Sequence, residues 1–115
     1  MAHTVTQLND HAGFSGPKVV GHEYYSDAYV TVTTVTAGGE VINASDFGLS
    51  SISQVVLTGN SLPATYDVDV QVSASGAYAS SSTFKLLFTA MDGTNAAAEG
   101  DITDTTVRVR LYGLL

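Results

Sequence analysis

The residues of this chain that could act in catalysis or bind a metal are three histidines and eleven carboxylates. His3, His11 and His22 lie 8 and 11 residues apart. Neither spacing places two imidazoles on one face of a single helix or strand, as zinc motifs such as HExxH do. Histidines in loops or in contact with solvent are therefore favoured, and no metal site is predicted.

The carboxylates also form no pattern that predicts a catalytic or metal site. Asp67 and Asp69 are two residues apart, so they share one face of a predicted strand and could form an acid–base pair. No apolar residue on that face would favour the protonated acid that such a pair needs, so exposed strand carboxylates are favoured. The acidic segment 92–104 lacks the spacing of a calcium-binding loop, and no serine lies in a G-x-S-x-G motif. We therefore expect no enzymatic activity and no cofactor.

The charge balance narrows the expected partners. The 115 residues include 11 Asp and Glu but only 4 Lys and Arg, for a formal net charge of −7. Because nucleic acids and anionic membranes are bound through clustered Lys and Arg, neither is an expected partner.

The chain has no cysteine and therefore no disulfide or thiolate site. Residues 1–6 contain no apolar run, so we expect no signal peptide, and the length is typical of a single domain.

Short apolar segments separated by turn residues predict a β-protein. Apolar and polar residues alternate in segments 65–72 and 104–112, which is typical of strands with one buried face. The continuous apolar run Val55-Val56-Leu57 predicts a central strand covered on both faces. The predicted strands span residues 18–25, 28–36, 52–58, 65–72, 83–91 and 104–112, and residues 3–8 could form a further short strand. The predicted fold is all-β, an antiparallel β-sandwich that is jelly-roll-like, with one short helical turn near residues 43–48.

The segment 36–49 is predicted to be a corner that carries the chain from one sheet to the other. Gly38-Gly39 can adopt positive φ without a Cβ clash, so the preceding strand can end abruptly there. Asn43 or Ser45 could cap a single helical turn, and Gly48 could end it in the left-handed region. The apolar residues that this turn could bury are Phe47 and Leu49.

Residues 1–16 are predicted to form an extended N-terminal arm, and residues 17–115 a single β-sandwich domain. The arm has few apolar residues and many loop formers. Its apolar residues are candidate contacts with a neighbouring subunit or with another partner, namely Val5, Leu8 and Phe14.

Further candidate contacts lie on the predicted outer faces of the strands. Leu87 and Met91 alternate with inward-facing phenylalanines, so a second subunit is expected to cover them. Leu114 and Leu115 are further apolar candidates. Arg108 and Arg110 are half of all the cations in the chain. Either they oppose Asp67 and Asp69 on a neighbouring strand, or they meet an acidic partner surface.

The corner and the last strand resemble small head proteins of tailed bacteriophages. These proteins often have a strand, a Gly-Gly-Glu turn, a helical Leu-Gly-Leu-type segment and then a Val-rich strand. The matching segments here are Thr33-Thr34-Val35-Thr36-Ala37-Gly38-Gly39-Glu40-Val41 and Ser45-Asp46-Phe47-Gly48-Leu49-Ser50-Ser51-Ile52-Ser53-Gln54-Val55. The closing segment Val107-Arg108-Val109-Arg110-Leu111-Tyr112-Gly113 is similar to their last strand. The resemblance covers about half of the chain, and its motifs are architectural.

The resemblance implies a structural virion component, a capsid decoration (cement) protein. Such a protein is β-rich and usually trimeric, and it binds the major capsid protein on the outside of the shell. The expected partners are therefore the chain itself, as a homotrimer, and a phage major capsid protein. The expected location is the capsid exterior, after synthesis in the cytoplasm of the host bacterium. The resemblance implies no catalytic residue.

Two other functions stay open at this point. One is a tail or head–tail connector subunit, which would assemble into rings or tubes. The other is a carbohydrate-binding β-sandwich module for host attachment, because several tyrosines could line a flat sugar-binding face. Those tyrosines are Tyr24, Tyr25, Tyr29, Tyr78 and Tyr112.

Overall fold

The fold was analysed in a computed structural model that describes residues 3–8, 13, 16–72 and 81–115. Within these residues the chain forms eight strands and one short 3-10 turn. The strands are β1 (His3–Gln7), β2 (Lys18–Val20), β3 (Glu23–Val35), β4 (Glu40–Asn43), β5 (Ser51–Asn60), β6 (Tyr66–Val72), β7 (Thr83–Ala90) and β8 (Gly100–Leu114). The 3-10 turn spans Ala44–Phe47, between β4 and β5. The all-β prediction is confirmed.

The strands form two antiparallel sheets that pack as a sandwich. The five-stranded sheet has the order β1-β3-β8-β5, with β2 also paired to β3, and the three-stranded sheet has the order β4-β7-β6. β3 pairs with β8 in one sheet, and β4 pairs with β7 in the other. Because the pair β4–β7 is nested within the pair β3–β8 along the chain, the sandwich is jelly-roll-like.

The Gly38-Gly39 corner carries the chain from the five-stranded sheet to the three-stranded sheet, as predicted. Gly38 and Gly39 have φ values of 87° and 116°. Gly48 ends the 3-10 turn in the left-handed region, with φ 81°. Asn43 occupies the N-cap position but makes no capping hydrogen bond through its side chain, so the predicted cap is absent.

The hydrophobic core lies between the two sheets and is built from alternate residues of the strands. β8 contributes Val107, Val109 and Leu111, and β7 contributes Phe84 and Leu86, all of them fully buried. Each such side chain stabilises the fold by roughly 1.5–3 kcal/mol relative to its exposed state. Phe47 and Leu49, from the corner segment, are also buried, as predicted.

The predicted strand at residues 18–25 is wrong. The chain reverses at Gly21 and His22, so Lys18–Val20 pairs with Glu23–Tyr25 as a β-hairpin. Gly21 has φ 61°, the conformation that a two-residue hairpin turn requires. The predicted break at Ser26-Asp27 is also absent, since β3 continues through both residues to Val35.

The prediction of a central strand at residues 52–58 is wrong as well. β5 pairs only with β8 among the described strands, so it lies at an edge of the five-stranded sheet. Val55 and Leu57 pack against the core, whereas Val56 is half-buried beside Arg110 on the outer face. An unbroken apolar run does not by itself distinguish a central strand from an edge strand with one partly covered outer residue.

Part of the predicted N-terminal arm lies in the five-stranded sheet. β1 pairs antiparallel with β3, from His3 opposite Val32 to Gln7 opposite Ala28. The Leu8 amide continues the pairing by donating a hydrogen bond to the Asp27 carbonyl at 3.0 Å.

Candidate functional site

The outer face of the five-stranded sheet concentrates aromatic and cationic side chains. We call it the Tyr–Arg face, and it consists of Tyr25, Asp27 and Tyr29 on β3 with Arg108, Arg110 and Tyr112 on β8. These residues point outward because their neighbours in each strand point into the core.

The β3–β8 register arranges the face in rows that run across the strands. Asp27 lies opposite Arg110, Tyr29 opposite Arg108, and Tyr25 opposite Tyr112. Side chains directly opposite each other on one face of an antiparallel pair are close enough to interact. The β3–β8 pairing therefore brings arginine, aspartate and tyrosine side chains together from positions about 80 residues apart in the chain.

A bidentate ion pair lies at the centre of the Tyr–Arg face. Arg110 donates hydrogen bonds from Nε and Nη2 to the two Asp27 carboxylate oxygens, both at 2.8 Å. These hydrogen bonds hold the pKa of Asp27 below its ordinary value, although burial alone would raise it. The positive charges of Arg110, Arg108 and Lys18 also lower this pKa. The Asp27 interaction also raises the pKa of Arg110. The pair is therefore charged at neutral pH.

Aromatic contacts hold this ion pair in place. The Arg110 guanidinium carbon lies 4.6 Å from the centroid of the Tyr25 ring, a cation–π geometry. The Tyr25 and Tyr112 rings are 6.2 Å apart and tilted by 42°. One face of Tyr25 is thus covered by Arg110, and these contacts join four side chains into one cluster. Such preorganisation lowers the entropy cost of binding a partner.

Arg108 is the less constrained cation of the Tyr–Arg face. Its side chain is 45% exposed, and its Nη2 lies 3.9 Å from Asp27 Oδ2, beyond hydrogen-bond distance. Its cross-strand neighbours are Tyr29 on β3 and Gly59 on β5. Tyr29 is itself 42% exposed.

The structure excludes the first of the two alternatives for the arginines, a pairing with Asp67 and Asp69. Asp67 and Asp69 lie on β6, in the three-stranded sheet, whereas Arg108 and Arg110 lie on β8, in the other sheet. The acid that pairs with the arginines is Asp27, which the sequence reasoning did not consider. Its only sequence signal is a charged residue beside a predicted strand, and a sequence separation of 83 between Asp27 and Arg110 hides the pairing.

The predicted apolar contact residues are dispersed. Val5 packs against the core of its own chain, and Leu8 is half-buried. Leu87 is half-buried on the outer side of β7, and Met91 lies just beyond β7 with 53% of its surface exposed. Leu114 and Leu115, at the other end of β8 from Gly100, are 52% and 62% exposed, and Phe14 lies outside the described residues. The role of these residues in subunit or capsid contacts stays a prediction.

A cleft of about 270 Å³ lies between the Gly38-Gly39 corner and β7. Leu87, Phe88 and Val35 contribute apolar walls, and Asp69 and Glu99 are the carboxylates in its lining. Glu99 accepts a hydrogen bond from the Gly38 amide, so one of these carboxylates already has a structural role.

A His–Glu pair with a buried carboxylate joins β1 to the corner, and sequence reasoning missed it. His3 Nδ1 lies 2.6 Å from Glu40 Oε2, and Glu40 is 3% exposed. The other carboxylate oxygen of Glu40 accepts hydrogen bonds from the Thr36 amide at 3.2 Å and the Thr36 hydroxyl at 3.1 Å. Every oxygen of the buried acid is thus paired, which is the arrangement expected of a structural carboxylate.

Within the described residues, no group of three or more His, Cys, Asp and Glu side chains is arranged to hold a metal ion. The part of the chain that the structure describes also contains no helix long and apolar enough to cross a membrane. Comparisons with protein-family models, curated proteins and solved structures gave no significant match.

Proposed function

We propose that this chain is a structural virion protein that binds the outside of a tailed-phage capsid and stabilises the shell. The observation that supports the proposal is the Tyr–Arg face, a sheet surface that presents Tyr and Arg side chains instead of a concave polar site. Tyr and Arg are the residues that most often anchor protein–protein interfaces. Jelly-roll sandwiches are also a common architecture of viral capsid domains, which is an argument from analogy.

The proposed mechanism is stabilisation by linkage. A protein that binds only the assembled shell stabilises it by mass action, by about 2.7 kcal/mol per site at a free concentration one hundred times Kd. A homotrimer would contact several capsid subunits at once, and its effective concentration would raise the overall affinity further. The exposed Met91, Leu114 and Leu115 are candidates for the contacts between subunits.

The proposal predicts that a gene for a major capsid protein neighbours the gene for this chain, and it is tested with shells of that capsid protein. Purified protein is mixed with expanded shells and sedimented, and the shells are then heated with and without it. We expect co-sedimentation to a fixed number of copies per shell and a higher melting temperature of the shell. Absence of both effects would contradict the proposal. Rings or tubes formed by the protein alone would instead indicate a tail or connector subunit.

A carbohydrate-binding module is the second candidate, and the exposed Tyr29 favours it. Tyr29 lies beside Thr6 of β1 on the same outer face, so a ring and a hydroxyl are available to a sugar. Against it, the Tyr25 ring is stacked with Arg110 and tilted against Tyr112, so it has less surface free for a sugar. Binding to host polysaccharide that is lost in Tyr29→Ala would support this candidate.

A further inference from the structure

We infer that Arg108 is the carboxylate-binding residue of the Tyr–Arg face, and that the face docks on an acidic patch of a different protein. The inference rests on the proposed function for the identity of that partner, the capsid protein. The part of the inference that concerns carboxylate binding rests on the geometry around Arg108.

The two arginines of the face share a single nearby acid. Asp27 gives both carboxylate oxygens to Arg110, each at 2.8 Å. The Arg108 guanidinium lies 3.9 Å from Asp27 and makes no hydrogen bond to any other described residue. Two positive charges therefore face one negative charge, and Arg108 keeps donors in the fork geometry that binds a carboxylate in two places.

The surroundings of Arg108 leave room for an incoming side chain. On one side, its neighbour across the strand pair is Gly59, which has no side chain. On the other side is the half-exposed ring of Tyr29. A carboxylate approaching over Gly59 would meet the guanidinium with an aromatic wall beside it. A partner that docks over Arg108 would remove water from this position, and charge pairs that become desolvated next to an aromatic ring contribute most to binding.

Charge complementarity selects an acidic protein surface as the occupant. The chain has a net charge of −7 and only four Lys and Arg residues, yet Arg108 and Arg110 both lie beside the carboxylate of Asp27. The local charge of these three groups is +1, because two cations face one acid. Two copies that docked through this same face would bring like charges together, so the face is not suited to self-association. The acidic remainder of the chain repels nucleic acid, which leaves carboxylates as the anions.

The test compares substitutions of equal charge change on the two sheets. Arg108→Glu replaces one of the two cations of the Tyr–Arg face by an acid, and Lys85→Glu makes the same charge change on the outer side of β7. Both variants are first checked for the wild-type circular dichroism spectrum and melting temperature. Binding is measured to expanded shells, to poly-L-glutamate and to a polyuronate, each at low and high salt.

We expect Arg108→Glu to weaken the affinity for shells at least about tenfold, and Lys85→Glu to leave that affinity within about twofold of the wild-type value. The effect of Arg108→Glu should become smaller as the salt concentration rises, because salt screens the charge interaction. Arg108→Lys should recover only part of the affinity, because an ammonium cannot form the two-point contact.

The two proposals fail in distinguishable ways. If the wild type binds shells and Arg108→Glu binds them equally well, the inference is overturned and the proposed function stands. If shells are not bound but poly-L-glutamate is bound in an Arg108-dependent manner, the proposed function fails and the inference stands. Arg108-dependent binding to the polyuronate alone, or an oligomer that dissociates in Arg108→Glu, would overturn the inference in favour of a glycan or a second copy. Binding to none of the three would also overturn it.

Discussion

Gly39→Val should destabilise the fold because the corner has no room for a side chain. Gly39 is buried and has φ 116°, a conformation that a β-branched residue rarely adopts. A Cβ at this position would lie 2.7 Å from Leu87 Cδ2 and 3.2 Å from the Leu86 carbonyl oxygen. Backbone strain and overpacking therefore add at one residue.

The expected cost follows from those two contributions. Positive φ in a non-glycine residue costs about 1–3 kcal/mol, and forcing extra carbon atoms into a packed site costs about 1–3 kcal/mol more. The sum, about 2–6 kcal/mol, is a large fraction of the roughly 5–15 kcal/mol that stabilises a typical domain. For a chain of this size it corresponds to a fall in melting temperature of about 10 °C or more.

Gly93→Val is the matched control for the backbone contribution. Gly93 has φ 93°, similar to that of Gly39, but an added Cβ there would meet no atom within 4 Å. Unfolding by heat and by urea, followed by circular dichroism, should show both variants destabilised and Gly39→Val more so. The difference between them measures the packing contribution. If Gly39→Val is no less stable than Gly93→Val, the corner is not packed as described.

Three further predictions concern single residues of the five-stranded sheet. Asp27→Asn should cost about 1–2 kcal/mol at neutral pH. Because the pKa of Asp27 is lowered in the folded state, the pair stabilises the fold fully above its unfolded-state pKa of about 4 and loses this effect as the pH falls through the folded-state pKa, so wild type and variant should converge in stability in acid. Ser26→Ala should stabilise the protein by about 1 kcal/mol, because the buried Ser26 hydroxyl has no hydrogen-bond partner among the described residues; a lower melting temperature would reveal a missed partner. Gly113→Ala should prevent folding or displace β5, since its Cβ would overlap the Ser51 carbonyl oxygen of that strand; soluble protein with wild-type stability would contradict this.

Local patterns in the sequence were sufficient to predict the sandwich. The alternation in residues 104–112 predicted which side of β8 is buried, because a strand places every second side chain in the core. The Gly38-Gly39 pair predicted the corner, because positive φ at consecutive residues favours glycine. Both signals depend on residues that are close in the chain.

The sequence-based predictions that failed depend on which strands become neighbours in the sheets. The apolar run at Val55–Leu57 is compatible with a central strand or an edge strand, and only the strand order decides between them. The Arg110–Asp27 pair and the His3–Glu40 pair join residues 83 and 37 positions apart. No local pattern encodes such pairs, so the Tyr–Arg face became visible only when the β3–β8 register was known.

The most direct test of the proposed capsid role is a cryo-electron microscopy map of expanded shells incubated with this protein. We predict additional density on the outside of the shell that fits the sandwich, with the Tyr–Arg face toward the shell and Arg108 beside an acidic residue of the capsid protein. A map without added density would contradict the proposed function. A bound sandwich with Arg108 pointing to solvent would contradict the docking face inferred from the structure.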